Sequence, residues 1–206
     1  MSRRLKLLGV ATMAVVVFSI AAIAQASAAS FNFESTPTWL KGSQVTKNVF
    51  TFSGGTVKCS VAEFRSTALI SGTSVASVTV HPIYGGCVAF GQSATVNTNS
   101  CDYVLSASGL VVSCSGASSI TVEVPSGTCS VFIGTQFPTS PKLTYTSSGS
   151  GATREFLVTS SVTGLTYGTS GGICGSAGTN GTYTGSVMMA GFASSTFSSQ
   201  HGAWVS

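Results

Sequence analysis

Charge is what this chain has least of. Its 206 residues hold nine Lys or Arg, five Asp or Glu and two His, so charged side chains make up 7%. An ordinary soluble domain carries roughly a quarter. A nucleic-acid surface needs a basic patch to neutralise phosphates, and so few scattered cations exclude one. His81 and His201 are the only histidines, and no Cys-x-x-Cys pair occurs. That leaves neither a histidine metal centre nor a zinc site with tight ligand pairs, and no cofactor is expected. Helical periodicity is also missing beyond the N-terminus, because Gly and Ser interrupt the apolar runs too often for a helical stripe.

The long hydrophobic run sits at the start. Arg3, Arg4 and Lys6 precede an uncharged apolar stretch over residues 7–24, followed by small residues in an A-x-A arrangement ending at Ala28. Residues 1–28 read as a secretory signal peptide. The expectation is a secreted, extracellular or cell-wall-associated protein, free of the membrane once the leader is cut. Cleavage after Ala28 leaves 178 residues with six cations, five acids and a net charge of +1. The sequence pI of about 8.8 therefore owes much to the leader.

Cysteine gives the first positive signal. Cys87, Cys101, Cys114 and Cys129 follow one another at steps of 14, 13 and 15 residues, with Cys59 before and Cys174 after them. Cys59, Cys101, Cys114 and Cys129 fall in register with apolar neighbours two residues away, which places them on inward faces. In an exported chain all six read as structural disulfides crossing a core. Each step matches two short strands and two turns, so each cysteine marks every second strand of a meander. Six cysteines allow 15 pairings, which sequence cannot choose among. The pairing expected is Cys87 with Cys101, Cys114 with Cys129, and Cys59 with Cys174.

Short period-two segments fill the rest, as at Ile120, Val122 and Val124 against Thr121 and Glu123. Many short strands with turn signals between them imply a sandwich or a barrel. The reading adopted is an all-β, antiparallel sandwich, Ig-like or jelly-roll-like, stapled by disulfides. It assigns residues 29–44 to an N-terminal arm, 45–193 to one β-domain and 194–206 to a tail or edge strand.

Two patterns suggest chemistry. Gly168-Thr169-Ser170-Gly171-Gly172 resembles the Gly-Asp-Ser-Gly-Gly nucleophile motif of trypsin-like serine proteases, and His81 and Asp102 precede Ser170 in that family's order. Thr169 stands where the motif has Asp, and His81 lies in Val80-His81-Pro82, outside the family's context. A flexible Gly-Ser loop beside Cys174, and an exposed turn histidine at a strand end, are the plainer readings. Sugar-binding β-domains use flat aromatic platforms, and Trp39, Tyr84 and Trp204 are the candidate ligand-facing rings.

Tyr84-Gly-Gly-Cys87-Val-Ala-Phe-Gly91, Cys101-Asp-Tyr103, Val112-Ser-Cys114 and Cys129-Ser-Val131 together resemble a group of small secreted six-cysteine β-proteins of high-GC Gram-positive bacteria. The resemblance spans about residues 45–190 and implies fold and location, with no activity attached. The expected role is structural or adhesive at or outside the cell surface, without catalysis, with a cell-wall or other extracellular polysaccharide or protein as partner. A carbohydrate-binding module is the first alternative, and a divergent serine protease built on Ser170, His81 and Asp102 the second.

Overall fold

A computed structural model describes residues 29–125 and 127–206; the expected signal peptide lies outside them. The period-two pattern becomes strand almost throughout. The first are β1 (Phe31–Phe33), β2 (Trp39–Phe52), β3 (Gly55–Ser66), β4 (Ser74–Val75) and β5 (Ser77–Ala89). Shorter strands follow: β6 (Gln92–Asn97), β7 (Cys101–Ser106), β8 (Gly109–Cys114), β9 (Ile120–Glu123) and β10 (Ser130–Ile133). The last are β11 (Ser140–Ser148), β12 (Glu155–Ser170), β13 (Gly178–Phe192), β14 (Gln200–His201) and β15 (Ala203–Val205). Among the described residues the helical turns are two 3-10 turns, at Gly151–Thr153 and Gly172–Cys174.

The chain is all-β, but the sheet closes on itself where a sandwich was expected. Its ring runs β2–β3–β5–β6–β9–β10–β12–β13 and returns from β13 to β2, every pairing antiparallel. Closure depends on β12, which pairs β13 along most of its length and still offers its C-terminal end, Gly168 to Ser170, to β10. A closed sheet leaves its ring strands no unpaired edge over these ladders. The N-terminal segment is part of this architecture and not an arm. Strand β2 begins at Trp39 and pairs β13 from its first residue, while β1 lies between β15 and β4 in a small second sheet. Phe31 of that sheet packs edge-on to Tyr145 at 5.3 Å and against Phe156 at 5.7 Å.

Two ring strands fork. Residues Ser77 to Val80 of β5 pair β7, whereas Cys87 to Ala89 pair β6. Strand β12 likewise pairs β11 with its first half and β10 with its last residues. These long strands bend at glycine. Gly164 has φ +76° beside a register shift, and a Cβ there would lie 2.5 Å from Thr139. A bulge of this kind bends a strand without ending it.

All six cysteines are in disulfides, and the expected pairing is overturned at every bond. Cys59 joins Cys87, Cys101 joins Cys114, and Cys129 joins Cys174. None crosses the core. The first two link directly opposed residues of β3–β5 and β7–β8, with Cα atoms 4.0 and 3.9 Å apart. The third joins segments next to the β10–β12 pairing. Opposed residues at a non-hydrogen-bonded antiparallel site lie about 4.5 Å apart, close enough for side chains to touch. Strand adjacency, not even spacing along the chain, chose the partners. Bridging loops of 28, 13 and 45 residues contributes about 3 to 4 kcal/mol each in the chain-entropy model.

Candidate functional site

Small eight-stranded barrels can hold a ligand inside. This interior is filled by aromatic and aliphatic side chains. Phe50 lies 4.7 Å from Tyr183 and 5.6 Å from Tyr84, and Phe64 lies 6.1 Å from Tyr84, centroid to centroid. Two small voids among these rings measure about 20 and 10 Å³, each room for one water at most. The polar atoms inside are used up on one another. The Tyr84 and Tyr103 hydroxyls are 3.1 Å apart, Tyr183 donates to Asn48 Oδ1, and Asn48 Nδ2 donates to Gln44 Oε1 at 2.8 Å. Burial pushes the Tyr84, Tyr103 and Tyr183 phenols well above the ordinary value, because a phenolate there would lose its water.

Chemistry gathers instead on the outer wall of β2, β3 and β5. Lys41 stands opposite Arg65, Arg65 opposite His81, and Glu63 opposite Ile83 in these ladders. Each projects outward because its strand neighbours Leu40, Phe64 and Val80 point into the barrel. Glu63 accepts from Arg65 Nε and lies 3.7 Å from Lys41 Nζ. The Phe197 ring, in the β13–β14 connection, lies under both cations, 5.6 Å from Lys41 Nζ and 5.5 Å from Arg65 Cζ. Lys47 and Lys58 are exposed farther along the same two strands. Beside them Val45, Val61, Ile83 and Val88 are 42–57% exposed, unusual for β-branched side chains in a chain with so much Ser and Thr.

His81 is not a turn residue at a strand end. It sits mid-strand in β5, half-buried, at the fork between β6 and β7. Its Nδ1 lies 2.9 Å from Asp102 Oδ1 at the start of β7, and its Nε2 lies 3.1 Å from Thr98 Oγ1 just after β6. With the ring proton on Nδ1, directed at the carboxylate, Nε2 accepts the Thr98 hydroxyl hydrogen. One imidazole thereby ties together two strand ends where β5 changes neighbours.

Of the three residues in the protease alternative, His81 and Asp102 are in contact and Ser170 lies elsewhere. Ser170 lies at the end of β12 opposite Ser130, where its carbonyl faces Cys174 Sγ at 3.4 Å. The hydroxyl on His81 belongs to Thr98, which no motif marked. A hydroxyl–imidazole–carboxylate chain is the arrangement that activates nucleophiles. Here the Thr98 residue is only 7% exposed, so little of it meets an incoming substrate. No group of three or more metal-ligating side chains occurs among the described residues.

The candidate aromatic platforms fare unevenly. Tyr84 is buried in the barrel and faces no ligand. Trp204 has the Arg154 guanidinium 4.3 Å over its ring. Trp39 is half-buried at the start of β2. Phe197 and the Lys41–Glu63–Arg65 group were missed, because Lys41 lies 22 residues from Glu63 and the loop residue Phe197 lies 156 from Lys41, too far for any local signal. Comparison with protein-family models, with curated proteins and with solved structures returned no match.

Proposed function

We propose that this is an exported structural or adhesive β-domain that works by binding, through its outer wall, at or outside the cell surface. The observation that carries the reading is the contrast between the two sides of the barrel. The interior is packed with aromatic and aliphatic side chains, and the two voids among them described above are water-sized, while one wall presents exposed Val45, Val61, Ile83 and Val88 beside Lys41, Glu63 and Arg65. Contiguous apolar surface with a polar surround marks interaction sites on soluble proteins. Three disulfides suit an oxidising extracellular setting, and no helix among the described residues is long and apolar enough to cross a membrane.

Binding of the mature, oxidised protein to isolated cell walls of a high-GC Gram-positive bacterium tests the reading. Sedimentation with the walls, weakened in a Val61→Ser/Ile83→Ser variant that keeps its fold, is the expected result. Equal sedimentation of that variant, or none by the parent protein, removes the reading.

A further inference from the structure

The cations of this protein are distributed very unevenly. Beyond residue 28 the chain has six, and four of them, Lys41, Lys47, Lys58 and Arg65, lie on β2 and β3. The same two strands carry one acid, Glu63, so the pair has a net charge of +3. Everything else has Lys142 and Arg154 against Glu34, Asp102, Glu123 and Glu155, a net charge of −2. A molecule close to neutral overall is therefore polarised, with its positive field concentrated on one hairpin.

The placement along the hairpin is ordered. Lys41 and Arg65 are directly opposed at one end. Lys58, opposite Val49, and Lys47, next to the bulge at Asn48, stand at the other. Seven residues separate Lys58 from Arg65, about 23 Å of strand. Between the two cation pairs lie the exposed side chains of Val45 and Val61. Next to them the two strands are tied together, where Gln44 Nε2 donates to the Ser60 carbonyl at 2.9 Å. The cations therefore bracket an apolar strip along the strand direction, where a compact anion would use only one end.

That shape fits an extended polymer with negative charge at intervals and apolar surface between. The wall already holds one carboxylate between two of its cations, that of Glu63 beside Lys41 and Arg65. We infer that the outer wall of β2 and β3 is a binding site for an acidic polysaccharide bearing carboxylate groups, of the uronate type, lying along the hairpin. The carboxylates meet the lysine and arginine pairs, and the C–H faces of the sugar rings cover Val45 and Val61. This rests on the adhesive reading above and names its partner.

The test uses the mature, oxidised protein and immobilised polygalacturonate, poly(glycerol phosphate) and neutral dextran. Lys47→Ser/Lys58→Ser removes two exposed cations that make no ion pair among the described residues, and Lys142→Ser on β11 is the control. Each cation facing a polyanion is worth roughly fivefold in affinity at moderate salt. Polygalacturonate binding is expected to weaken at least tenfold in the double variant, to fall with added salt, and to be unchanged in Lys142→Ser. Dextran binding as strong as polygalacturonate binding, or a double variant that binds like the parent, overturns the inference. So does preference for the phosphate polymer, which would reassign the anion. Continued sedimentation with cell walls but no polygalacturonate binding removes this inference alone; loss of wall binding as well removes the reading beneath it.

Discussion

Tyr183 donates its hydroxyl hydrogen to Oδ1 of Asn48 inside the barrel, at the point where β2 bulges between its two neighbours. Asn48 is fully buried, and the Gly185 backbone passes so close that a Cβ there would lie 2.6 Å from that same oxygen. Bulge, glycine and hydrogen bond therefore form one unit. Tyr183→Phe leaves a buried carbonyl oxygen without this donor, which costs about 1 to 3 kcal/mol. Gly185→Ala cannot be accommodated without displacing Asn48 and is expected to cost at least as much. Denaturant midpoints at unchanged m-value check both.

Alkaline pH should act on the same region. The phenols of Tyr84, Tyr103 and Tyr183 are raised mainly by burial, and so is that of the part-buried Tyr145. Tyr84 is raised further by Tyr103 and Tyr183 beside it. A raised phenol keeps its proton in the folded state after the unfolded chain has lost it, near pH 10. Stability from these groups is thus complete below pH 10 and is lost as pH rises above it. Thermal unfolding followed from pH 7 to 11.5 is expected to be flat in this contribution up to about pH 9.5 and then to fall. Tyr103→Phe should flatten the fall.

The disulfide assignment is open to direct mapping. Digestion without reduction is expected to yield linked peptides containing Cys59 with Cys87, Cys101 with Cys114, and Cys129 with Cys174. Replacing both Cys101 and Cys114 by Ala closes no 13-residue loop and should cost about 3 kcal/mol.

How far the sequence reached is visible in these elements. Period-two alternation located most of the strands after residue 44 and the inward side of most of them, and Cys59, Cys101 and Cys129 are fully buried as their registers implied, whereas Cys114 is half-buried. What it could not show was which strand lies beside which. Strand β5 reads as two short strands because Pro82 and Gly85-Gly86 look like breaks, yet it continues as one strand, bent at Gly86 with φ +57°, and changes partner there. Residues 155–159 and 165–167 likewise join through the Gly164 bulge into the 16-residue β12. Those long, bent strands let the sheet close, and the direct pairing of β3 with β5 put Cys59 opposite Cys87. The same limit governed the site. His81 and Asp102 were legible as chemistry, but Thr98 became their partner only through the β5 fork.

That clasp gives its own prediction. Thr98→Val removes the hydroxyl on His81 Nε2 while keeping the shape, and should cost about 1 kcal/mol. Ser170→Ala should cost less than half of that, since the ring nitrogens of His81 bond to Asp102 and Thr98. A fluorophosphonate probe is expected to label neither residue; stoichiometric labelling of Ser170 or Thr98 would restore a catalytic reading.

The central claim is that the protein binds through the outer wall of β2, β3 and β5. Backbone amide chemical shifts of the labelled mature protein, recorded with and without soluble cell-wall fragments, test it most directly. The account predicts that the perturbed amides cluster around Lys41, Val45, Lys58, Val61, Arg65 and Ile83. Perturbations centred instead on the surface depression of about 340 Å³ between Ala107–Gly109 and Thr139–Leu143, with the β2–β3 wall silent, would contradict it.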